Sequence, residues 1–573
     1  MKPVRLPAAA TLALPRWGLI SLCLLYILPG LIRRDPWKND DAAGFGIMWT
    51  MANGGLSDWL APHIVGLPMP EEGPLAFWIG AIFIKLFGGL LGDELAARIS
   101  TIAFFLIGAL SIWYATYLLG RRTEAQPLRL AFGGQPEPSD YGRTLADGAL
   151  LIYLGSLGLL LQSHQTSAEA LQISLVCVVL YLSVRLFESM SLRTAAMLGI
   201  ALGLLILTRG WPVPLALWIG LLVLAMLREK RIILPLLLIA LPLAALVAGS
   251  WLLASHQLMH QTSRSSFDAW LAWNSGQFGL PSWKSLKYFF KNGIWFTWPA
   301  WPFAGWAVYA WRHQFKAPHI VLPFTVLVTL VALALLNQSE EEAVLLPLLP
   351  PLVILAAFGL PTMKRGAINA VDWFSVMTLT TSAAFIWIGW IAKQTGWPAQ
   401  LAKNAFKLAP GFQPEFNLMA LLIAASATIG WIVLVHWRIS RHPTVLWRAV
   451  VLSSGGVILC WLLLMTLWLP WINYGKSYAG VAEQIAQKLP NGRYCVDTNV
   501  GPAQRASFAY FGNVEFAKFG EGSCEFLLLQ ESVARKDRAS LLKQFDSKGK
   551  LLWEGRRPSD RDERFRLYRR NPS

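Results

Sequence analysis

The sequence predicts an all-α polytopic membrane protein with about thirteen transmembrane helices and a small α/β domain at its C-terminal end. Three observations predict this class. The 573 residues are 55% hydrophobic and only 14% charged, whereas soluble domains carry about 25% charged residues. Apolar runs of about 20 residues, long enough to cross a bilayer, recur as far as residue 470. Beyond that point short helical and extended patterns alternate, which is typical of a small α/β domain.

The transmembrane segments follow from the apolar runs and their basic flanks. The first run lacks a small-residue cleavage site after its apolar core, so it predicts a retained helix rather than a signal peptide. With the N-terminus in the cytoplasm, alternate loops carry the Lys and Arg clusters on the cytoplasmic side, as the positive-inside rule requires. The predicted spans cover residues 17–32, 98–119, 145–162, 168–187, 194–208, 211–227, 232–254, 293–311, 318–336, 343–361, 373–392, 416–437 and 447–470.

The first outer loop, residues 33–97, is predicted to lie along the membrane surface. Its apolar stretch 75–91 contains Lys85 and ends in a glycine-rich break, and counting it as a span would invert every basic loop that follows. We therefore predict interfacial helices at 75–91 and 41–54. The aromatic side chains expected in the lipid are Phe77, Trp78 and Phe87. The alternative is that 75–91 is an ordinary span.

Residues 471–573 are predicted to form a domain on the outer, periplasmic face, since an odd number of spans separates them from the N-terminus. Residues 1–470 then form the transmembrane domain. Cys495 and Cys524 fall in the exported part, where an oxidising compartment permits a disulfide; spacing alone leaves a bridged and an unbridged pair equally open. The net charge of +17 is attributed to membrane orientation and contact with anionic lipids. Nucleic acid is not an expected partner.

Two acidic pairs lie in the first outer loop. Burying unpaired carboxylates near a bilayer costs several kcal/mol, so such groups usually mark a functional site. We predict that Asp40 and Asp41 are catalytic and that Glu71 and Glu72 bind substrate. Asp40 and Glu71 are also candidate ligands for a divalent cation, Mg²⁺ or Mn²⁺. The alternative for Asp40 is a helix N-cap.

Later outer loops add further candidates. Glu169 is predicted to be catalytic, with a capping-box role as its alternative, and His164 is a candidate substrate ligand on the same loop. Arg209 lies at a break between two short spans, where a guanidinium can hold a phosphate. The basic loop 255–292 is predicted to bind phosphate, although snorkelling at the interface explains any single lysine equally well. Its candidate residues are Arg264, Lys284 and Lys287.

A series of short motifs runs through roughly the first 360 residues. In this order they resemble the GT-C glycosyltransferases of the protein O-mannosyltransferase superfamily, and within it the bacterial lipid A aminoarabinose transferase-like branch. The motifs are Asp40-Asp41, Ser57-Asp-Trp59-Leu-Ala-Pro62-His63-Ile-Val-Gly66, Glu71-Glu-Gly-Pro74-Leu-Ala-Phe-Trp78, Ala97-Arg98, Leu207-Thr-Arg-Gly210 and Leu346-Pro-Leu-Leu-Pro-Pro351-Leu.

The resemblance implies an inverting transferase of the bacterial inner membrane. Such an enzyme moves one sugar from a polyprenyl-phosphate donor to an envelope lipid or glycan, lipid A-like acceptors included, on the periplasmic face. Asp40 matches the catalytic aspartate, which acts as general base, and Glu169 matches the second acidic site. Membrane lipids are the surrounding partners.

Two departures from this branch bear on the sugar. Its members usually have Glu-Lys-Pro-Pro where this chain has Glu71-Glu72-Gly73-Pro74, and they tend to have Lys and Tyr where it has Glu340 and Val344. Both changes lower the positive charge near the expected donor phosphate. They are compatible with a different sugar, a metal partner, or phosphate binding at Arg209 and the lysines of 284–291.

Two other classes of function compete with the transferase. A transporter or flippase for a lipid-linked glycan would use the charges at span boundaries for gating, and a non-catalytic envelope assembly protein would use the exported domain to bind a partner. Asp40→Asn distinguishes them, because only the transferase hypothesis predicts lost activity at normal expression.

Overall fold

The computed structural model describes residues 4–131, 133–258, 266–439, 445–490, 492–517, 524–532 and 549–570. Within these ranges nine helices are long and apolar enough to cross a membrane: Ala8–Ile27 (α-helical over Arg16–Ile27), Asp93–Gly120, Ala168–Ser189, Leu192–Arg209, Lys230–Gln257, Pro318–Leu336, Glu342–Thr362, Gly366–Thr395 and Leu418–Arg438. A tenth candidate is the pair Val451–Leu467 and Leu469–Lys476, which is bent by 74°. The predicted all-α polytopic class is confirmed, whereas the number thirteen stays a prediction.

Two predicted spans correspond to divided helices. The run 145–162 forms Pro138–Leu154 and Leu157–Gln162, with a break at Gly155 and Ser156. The run 293–311 divides at Pro299, which has no backbone N–H to continue a helix. The remaining helices of the membrane part are Asp40–Asn53, Leu56–Leu60, Leu75–Leu91, Pro212–Arg228, Ser266–Gly276, Trp283–Phe296, Ala300–Ala310 and Ala399–Leu408.

The first outer loop forms the two predicted helices, but one predicted lipid contact is wrong. Phe77 is completely buried, because the face of Leu75–Leu91 that carries it packs against Asp40–Asn53. Gly80 permits this packing: a Cβ there would lie 2.2 Å from the sulfur of Met48. The opposite face of the helix is exposed and apolar. A short hairpin, β1 (His63–Ile64) and β2 (Leu67–Pro68), lies between the two helices.

The C-terminal part contains a four-stranded sheet flanked by the helices Ala479–Ala486 and Pro502–Gly512. The strand order is β3-β4-β6-β5, with β3 parallel to β4 and the other neighbours antiparallel. The strands are β3 (Val496–Thr498), β4 (Phe526–Ser532), β5 (Gly549–Gly555) and β6 (Glu563–Arg570). The predicted α/β character is confirmed. One of the helical patterns predicted beyond residue 470, Ala539-Ser-Leu-Leu-Lys-Gln-Phe545, lies outside the described residues.

A disulfide joins Cys495 to Cys524 immediately before the parallel strands β3 and β4. It closes a loop of sequence separation 29, for which the chain-entropy account gives a stabilisation of about 3 kcal/mol. Of the two alternatives left open by the sequence, the structure therefore has the bridged pair. Disulfides persist in oxidising compartments, so the bridge supports an exported C-terminal domain.

Replacing both bridged cysteines by serine is expected to lower the melting temperature of the C-terminal domain and to expose it to limited proteolysis. Cys23→Ala, which removes a free thiol elsewhere, serves as the control. Digestion patterns and melting curves identical to those of the wild type would contradict a stabilising bridge.

The C-terminal domain is seated on the first outer loop through the helix that begins at Pro502. A Cβ at Gly46 would lie 2.4 Å from the Cβ of Ala506, so the two helix backbones meet closely at that point. The buried Arg505 guanidinium donates to the backbone oxygen of Val65, with an Nη2–O distance of 2.7 Å. The domain and the loop therefore form one continuous layer above the membrane helices.

Candidate active site

A cavity of about 680 Å³ lies where the first outer loop, the ends of two membrane helices and the C-terminal domain meet. Seven carboxylic acids and three cations line it, a formal excess of four negative charges. These residues are Asp40, Glu71, Glu72, Glu169, Glu340, Glu341 and Glu342, with Lys38, Arg209 and Lys476. The sequence segments that were predicted to act together are thus brought to one place.

Asp40 presents an exposed carboxylate to the cavity. It is the first residue of the helix Asp40–Asn53, and the preceding Asn39 makes no side-chain cap hydrogen bond. Among the described residues, the Asp40 side chain has neither a hydrogen-bond nor an ion-pair partner. Asp40 is therefore available to accept a proton from a bound molecule.

Asp41 is, by contrast, completely buried and saturated with donors. Its carboxylate accepts hydrogen bonds from Arg34 Nη2 at 2.7 Å and from the N–H groups of Thr166 at 2.9 Å and Trp37 at 3.1 Å. Arg98 Nη2 lies 3.9 Å away. Burial raises the pKa of Asp41, but Arg34, Arg98 and the two N–H groups outweigh burial and lower it. Asp41 does not line the cavity. Its contacts hold the first outer loop to the turn that contains Thr166.

The loop that carries Glu71 and Glu72 is fixed by Gly73. The Gly73 N–H donates to the backbone oxygen of Thr208 at 3.2 Å, and a Cβ on this residue would lie 2.1 Å from the oxygen of Leu207. Only glycine permits this approach, which sets the acidic pair beside the end of the helix Leu192–Arg209.

Glu72 is a buried acid in the cavity wall. Burial raises its pKa to about 7; the nearby Arg209 lowers it, while Glu71, Asp40 and Glu341 raise it further. One of its oxygens, Oε2, has no hydrogen-bond partner among the described residues. At neutral pH a large share of the molecules therefore carries a protonated Glu72 that is able to donate a hydrogen bond.

Arg209 is the last residue of its helix and pairs with two carboxylates. It contacts Glu169 directly, and its Nη2 lies 3.6 Å from Glu341 Oε2. Gly210 ends the helix with φ +107°, and a Cβ there would lie 1.9 Å from Asn274 Oδ1, so glycine is required to turn Arg209 into the cavity. The alternative role for Glu169 was a capping box at the start of the helix Ala168–Ser189. This capping box is not formed, because the N-cap residue Ser167 makes no side-chain cap hydrogen bond.

Three other predicted ligands are not brought to the cavity, and a fourth lies outside the described residues. His164 is buried, and its two ring nitrogens face the backbone oxygens of Tyr26 at 2.9 Å and Leu160 at 2.6 Å, so it packs the loop instead of meeting a substrate. Lys284 is exposed and pairs with Glu340 at 2.7 Å, outside the lining. Lys287 is exposed on the same helix. Arg264 lies outside the described residues.

The predicted divalent cation rests on Asp40 and Glu71, which both line the cavity. In the described ranges no group of three or more His, Cys, Asp or Glu side chains is arranged to hold a metal. The positive charge that lies between Glu169 and Glu341 is the guanidinium of Arg209. The metal therefore stays a prediction.

Sequence reasoning missed the part of the wall that the C-terminal domain supplies, Lys476 and Gln504. Among the described residues Lys476 has no carboxylate within ion-pair distance, and its Nζ lies 4.9 Å from the ring centre of Trp37. Gln504 Nε2 is held by Glu563 Oε1 at 2.7 Å. One signal was present: Gln504 lies in the first turn of the helix that follows strand β3, the place where α/β folds commonly bind ligands.

Comparison with known proteins gives relatives of one kind. No family model matches the chain. The undecaprenyl phosphate-α-4-amino-4-deoxy-L-arabinose arabinosyl transferase of Pseudomonas aeruginosa strain LESB58 is 27% identical over 461 residues, which cover 77% of this chain and 74% of the relative. A second transferase of that name, from Pseudomonas fluorescens strain Pf0-1, is 26% identical over 471 residues, 78% of this chain and 74% of the relative.

Solved structures give the same result. The crystal structure of ArnT from Cupriavidus metallidurans in the apo state matches with a TM-score of 0.65 at 15% identity, covering 96% of this chain and 97% of that chain. The structure of the same protein bound to undecaprenyl phosphate matches with a TM-score of 0.61 at 14% identity, with the same coverage. The predicted resemblance and fold class are confirmed, and so is the enzyme class, a glycosyltransferase.

Proposed function

We propose that this glycosyltransferase moves a sugar from a polyprenyl-phosphate donor to an envelope lipid at the periplasmic face of the inner membrane. The observation that carries the proposal is the cavity in which the unpartnered Asp40 lies with the Arg209–Glu169 pair. By their names, the relatives transfer an arabinosyl group from an undecaprenyl-phosphate donor. The matching fold has been solved with undecaprenyl phosphate bound.

In the proposed reaction the Asp40 carboxylate accepts the proton of the acceptor O–H group. The acceptor oxygen forms the new bond to the anomeric carbon while the bond from that carbon to the phosphate oxygen breaks. The leaving group departs as polyprenyl phosphate, and attack from the opposite face inverts the anomeric configuration. A positioned base of this kind contributes about 10²–10⁴-fold to the rate. Arg209 and Lys476, two of the three cations of the wall, stabilise the negative charge that develops on the departing phosphate.

The charge of the cavity supports a donor sugar that carries an amine. Glu72 and Glu340, which stand where the resembled branch usually has lysine, both line the cavity. With them the wall has an excess of acids, which attract an ammonium group and oppose a second anion. The aminoarabinose in the relatives' names is a sugar of this class. The donor phosphate is then expected near Lys476, the cation that no carboxylate of the described chain neutralises.

The raised pKa of Glu72 predicts a pH-dependent affinity for the donor. Below pH 7 the acid is neutral, whereas above pH 7 it adds a negative charge that attracts the ammonium group of the donor sugar. The KM for the donor is therefore expected to fall with pH through about 7 in the wild type and to stay level in Glu72→Gln. The raised pKa of Glu72 also means that the folded protein loses stability relative to the unfolded chain as the pH rises to about 7. The Glu72→Gln variant lacks this loss, so its melting temperature is expected to exceed that of the wild type above pH 7.

The control for this prediction is Glu483→Gln, an exposed acid of the C-terminal domain that lies outside the cavity lining. Its KM profile is expected to follow that of the wild type. A Glu72→Gln enzyme whose KM still falls through pH 7 would show that another group is responsible.

Orientation rests on two independent features. The basic loops follow the positive-inside rule when the N-terminus is cytoplasmic, and the disulfide requires an oxidising surrounding for the C-terminal domain. We accordingly propose residues 1–470 as the catalytic membrane domain, with its first periplasmic loop at 33–97, and residues 471–573 as a periplasmic domain that closes the cavity.

Mass spectrometry of envelope lipids and glycans tests the proposed function in cells. A deletion strain is complemented with the wild type or with Asp40→Asn at matched protein levels. We expect a mass increment of one amino sugar on an envelope lipid that only the wild type restores. If both proteins restore the same profile, Asp40 is not the base and a transporter becomes the better hypothesis. If Asp40→Asn is harmless while removal of 471–573 is not, the assembly hypothesis is favoured.

A further inference from the structure

A second cavity, of about 270 Å³, lies among the helices Arg16–Ile27, Asp93–Gly120 and Pro138–Leu154. It is lined by Arg16, Arg143 and Asp147 together with Trp113, Tyr114 and Tyr117. None of these residues belongs to the catalytic cavity.

This second cavity is at the opposite face of the membrane from the candidate active site. The helix Asp93–Gly120 passes both sites: Arg98 near its start contacts Asp41, and Tyr117 near its end lines the second cavity. At 1.5 Å per residue the two positions are about 28 Å apart along the helix axis. A bilayer's hydrocarbon core is about 30 Å thick. The second cavity therefore lies at the head-group level of the other leaflet.

The cavity carries two arginines and one carboxylate, a formal excess of one positive charge. In the described chain neither Arg16 nor Arg143 has a carboxylate within ion-pair distance. The neighbouring Arg121, by comparison, pairs with Glu188 at 2.8 Å. The carboxylate in the cavity, Asp147, is occupied on both oxygens, by Trp113 Nε1 at 2.9 Å and by the N–H of Leu14 at 3.1 Å.

Asp147 also builds the aromatic wall of the cavity. The Trp113 ring that it holds stacks on Tyr117, with ring centres 5.4 Å apart and planes inclined by 14°, and meets Tyr114 edge-on at 4.9 Å. Aromatic side chains of this kind are enriched at the membrane–water interface, where one end is apolar and the other is wet. The cavity is thus a shaped site whose two arginines form no ion pair with the described part of the chain.

Two exposed apolar stripes lead from this cavity towards the middle of the membrane. On the first helix Arg16 is followed at four-residue spacing by exposed Ile20, Leu24 and Leu28. On the second, Tyr114 is preceded by exposed Leu110 and Ile107. A cationic head site above two apolar stripes matches a phosphate that bears two acyl chains.

We propose that this cavity binds an anionic phospholipid of the cytoplasmic leaflet, with Arg16 and Arg143 on the lipid phosphate, the aromatic wall beside the glycerol region, and the acyl chains on the two stripes. The proposal does not depend on the transfer reaction. It assigns a lipid site to the face of the protein that is remote from the chemistry.

Native mass spectrometry of the purified full-length protein with defined lipids tests this site. Phosphatidylglycerol is compared with phosphatidylcholine of the same acyl chains, and inorganic phosphate serves as a probe without acyl chains. We expect the wild type to retain phosphatidylglycerol, and R16Q/R143Q to bind it about tenfold more weakly because two charge-assisted contacts are lost. The matched control is R193Q/R228Q, which removes two exposed arginines at helix ends on the same face. It is expected to bind like the wild type.

Three results would overturn the proposal: equal retention of phosphatidylcholine, unchanged binding by R16Q/R143Q, or an equal loss in R193Q/R228Q. Binding of inorganic phosphate as tight as that of the lipid would identify a free phosphate site instead. If the double variant does not purify as folded protein, R143Q alone is used, because among the described residues its side chain makes no hydrogen bond that the substitution breaks.

Discussion

Replacing Asp40 by asparagine is expected to lower the rate of sugar transfer by about 10²–10⁴-fold, the usual contribution of a general base, while the protein folds normally. The carboxylate is exposed in the cavity and holds no partner within the described chain, so its loss breaks no structural contact. Asparagine keeps the size of the side chain and removes the basic oxygen. The loss is expected in kcat, with the melting temperature unchanged.

Asp562→Asn provides the matched control, since Asp562 is exposed on the C-terminal domain, outside the lining of the cavity. Its transfer rate is expected to equal that of the wild type. An Asp40→Asn enzyme that retained more than about a tenth of the wild-type kcat would show that Asp40 is not the base.

The neighbouring substitution, Asp41→Asn, is expected to act on stability. Neutralising Asp41 leaves Arg34 and Arg98 buried with uncompensated charge, and breaking a buried pair in this way costs about 3–5 kcal/mol. We expect a fall in melting temperature and in the amount of protein in the membrane. Because the pKa of Asp41 is lowered, the difference from the wild type should be full at neutral pH and should narrow only below about pH 4.

Asp40→Asn is the control for Asp41→Asn, because the same chemical change is made one residue earlier in the same helix. Thermal melting in detergent and membrane protein levels measure the effect. A normally stable Asp41→Asn protein that had lost only its activity would contradict the structural role and place Asp41 in the chemistry.

These two aspartates show what a sequence pattern leaves open. The adjacent acids after the first apolar run were enough to predict a functional site. Successive residues of a helix, however, point about 100° apart, so one carboxylate enters the cavity and the other enters the protein. Which of the two does so depends on where Arg34, Arg98 and Thr166 meet. The contacts of Asp41 with Arg98 and Thr166 cross long stretches of sequence.

The apolar runs predicted the membrane class correctly, because the length of a run is a local property of the sequence. They did not predict which side chains are buried, because burial depends on packing between distant segments. The length of a run fixes whether a helix is able to cross the bilayer, but not which face is buried. Phe77 is therefore buried, although the same helix also carries exposed apolar side chains such as Leu86 and Leu90. Lys476 and Gln504 were missed because the docking of the C-terminal domain on the first loop, through Gly46 and Ala506, leaves no periodic signal.

The most direct test of the central claim uses purified full-length protein in liposomes with an undecaprenyl-phosphate-linked amino sugar and an envelope lipid acceptor. The measurement is the amount of glycosylated acceptor and of undecaprenyl phosphate formed over time. The proposed function predicts that the two products appear in equal amounts with the wild type and are nearly absent with Asp40→Asn. Movement of the intact donor across the bilayer without formation of either product would contradict it and would identify a transporter.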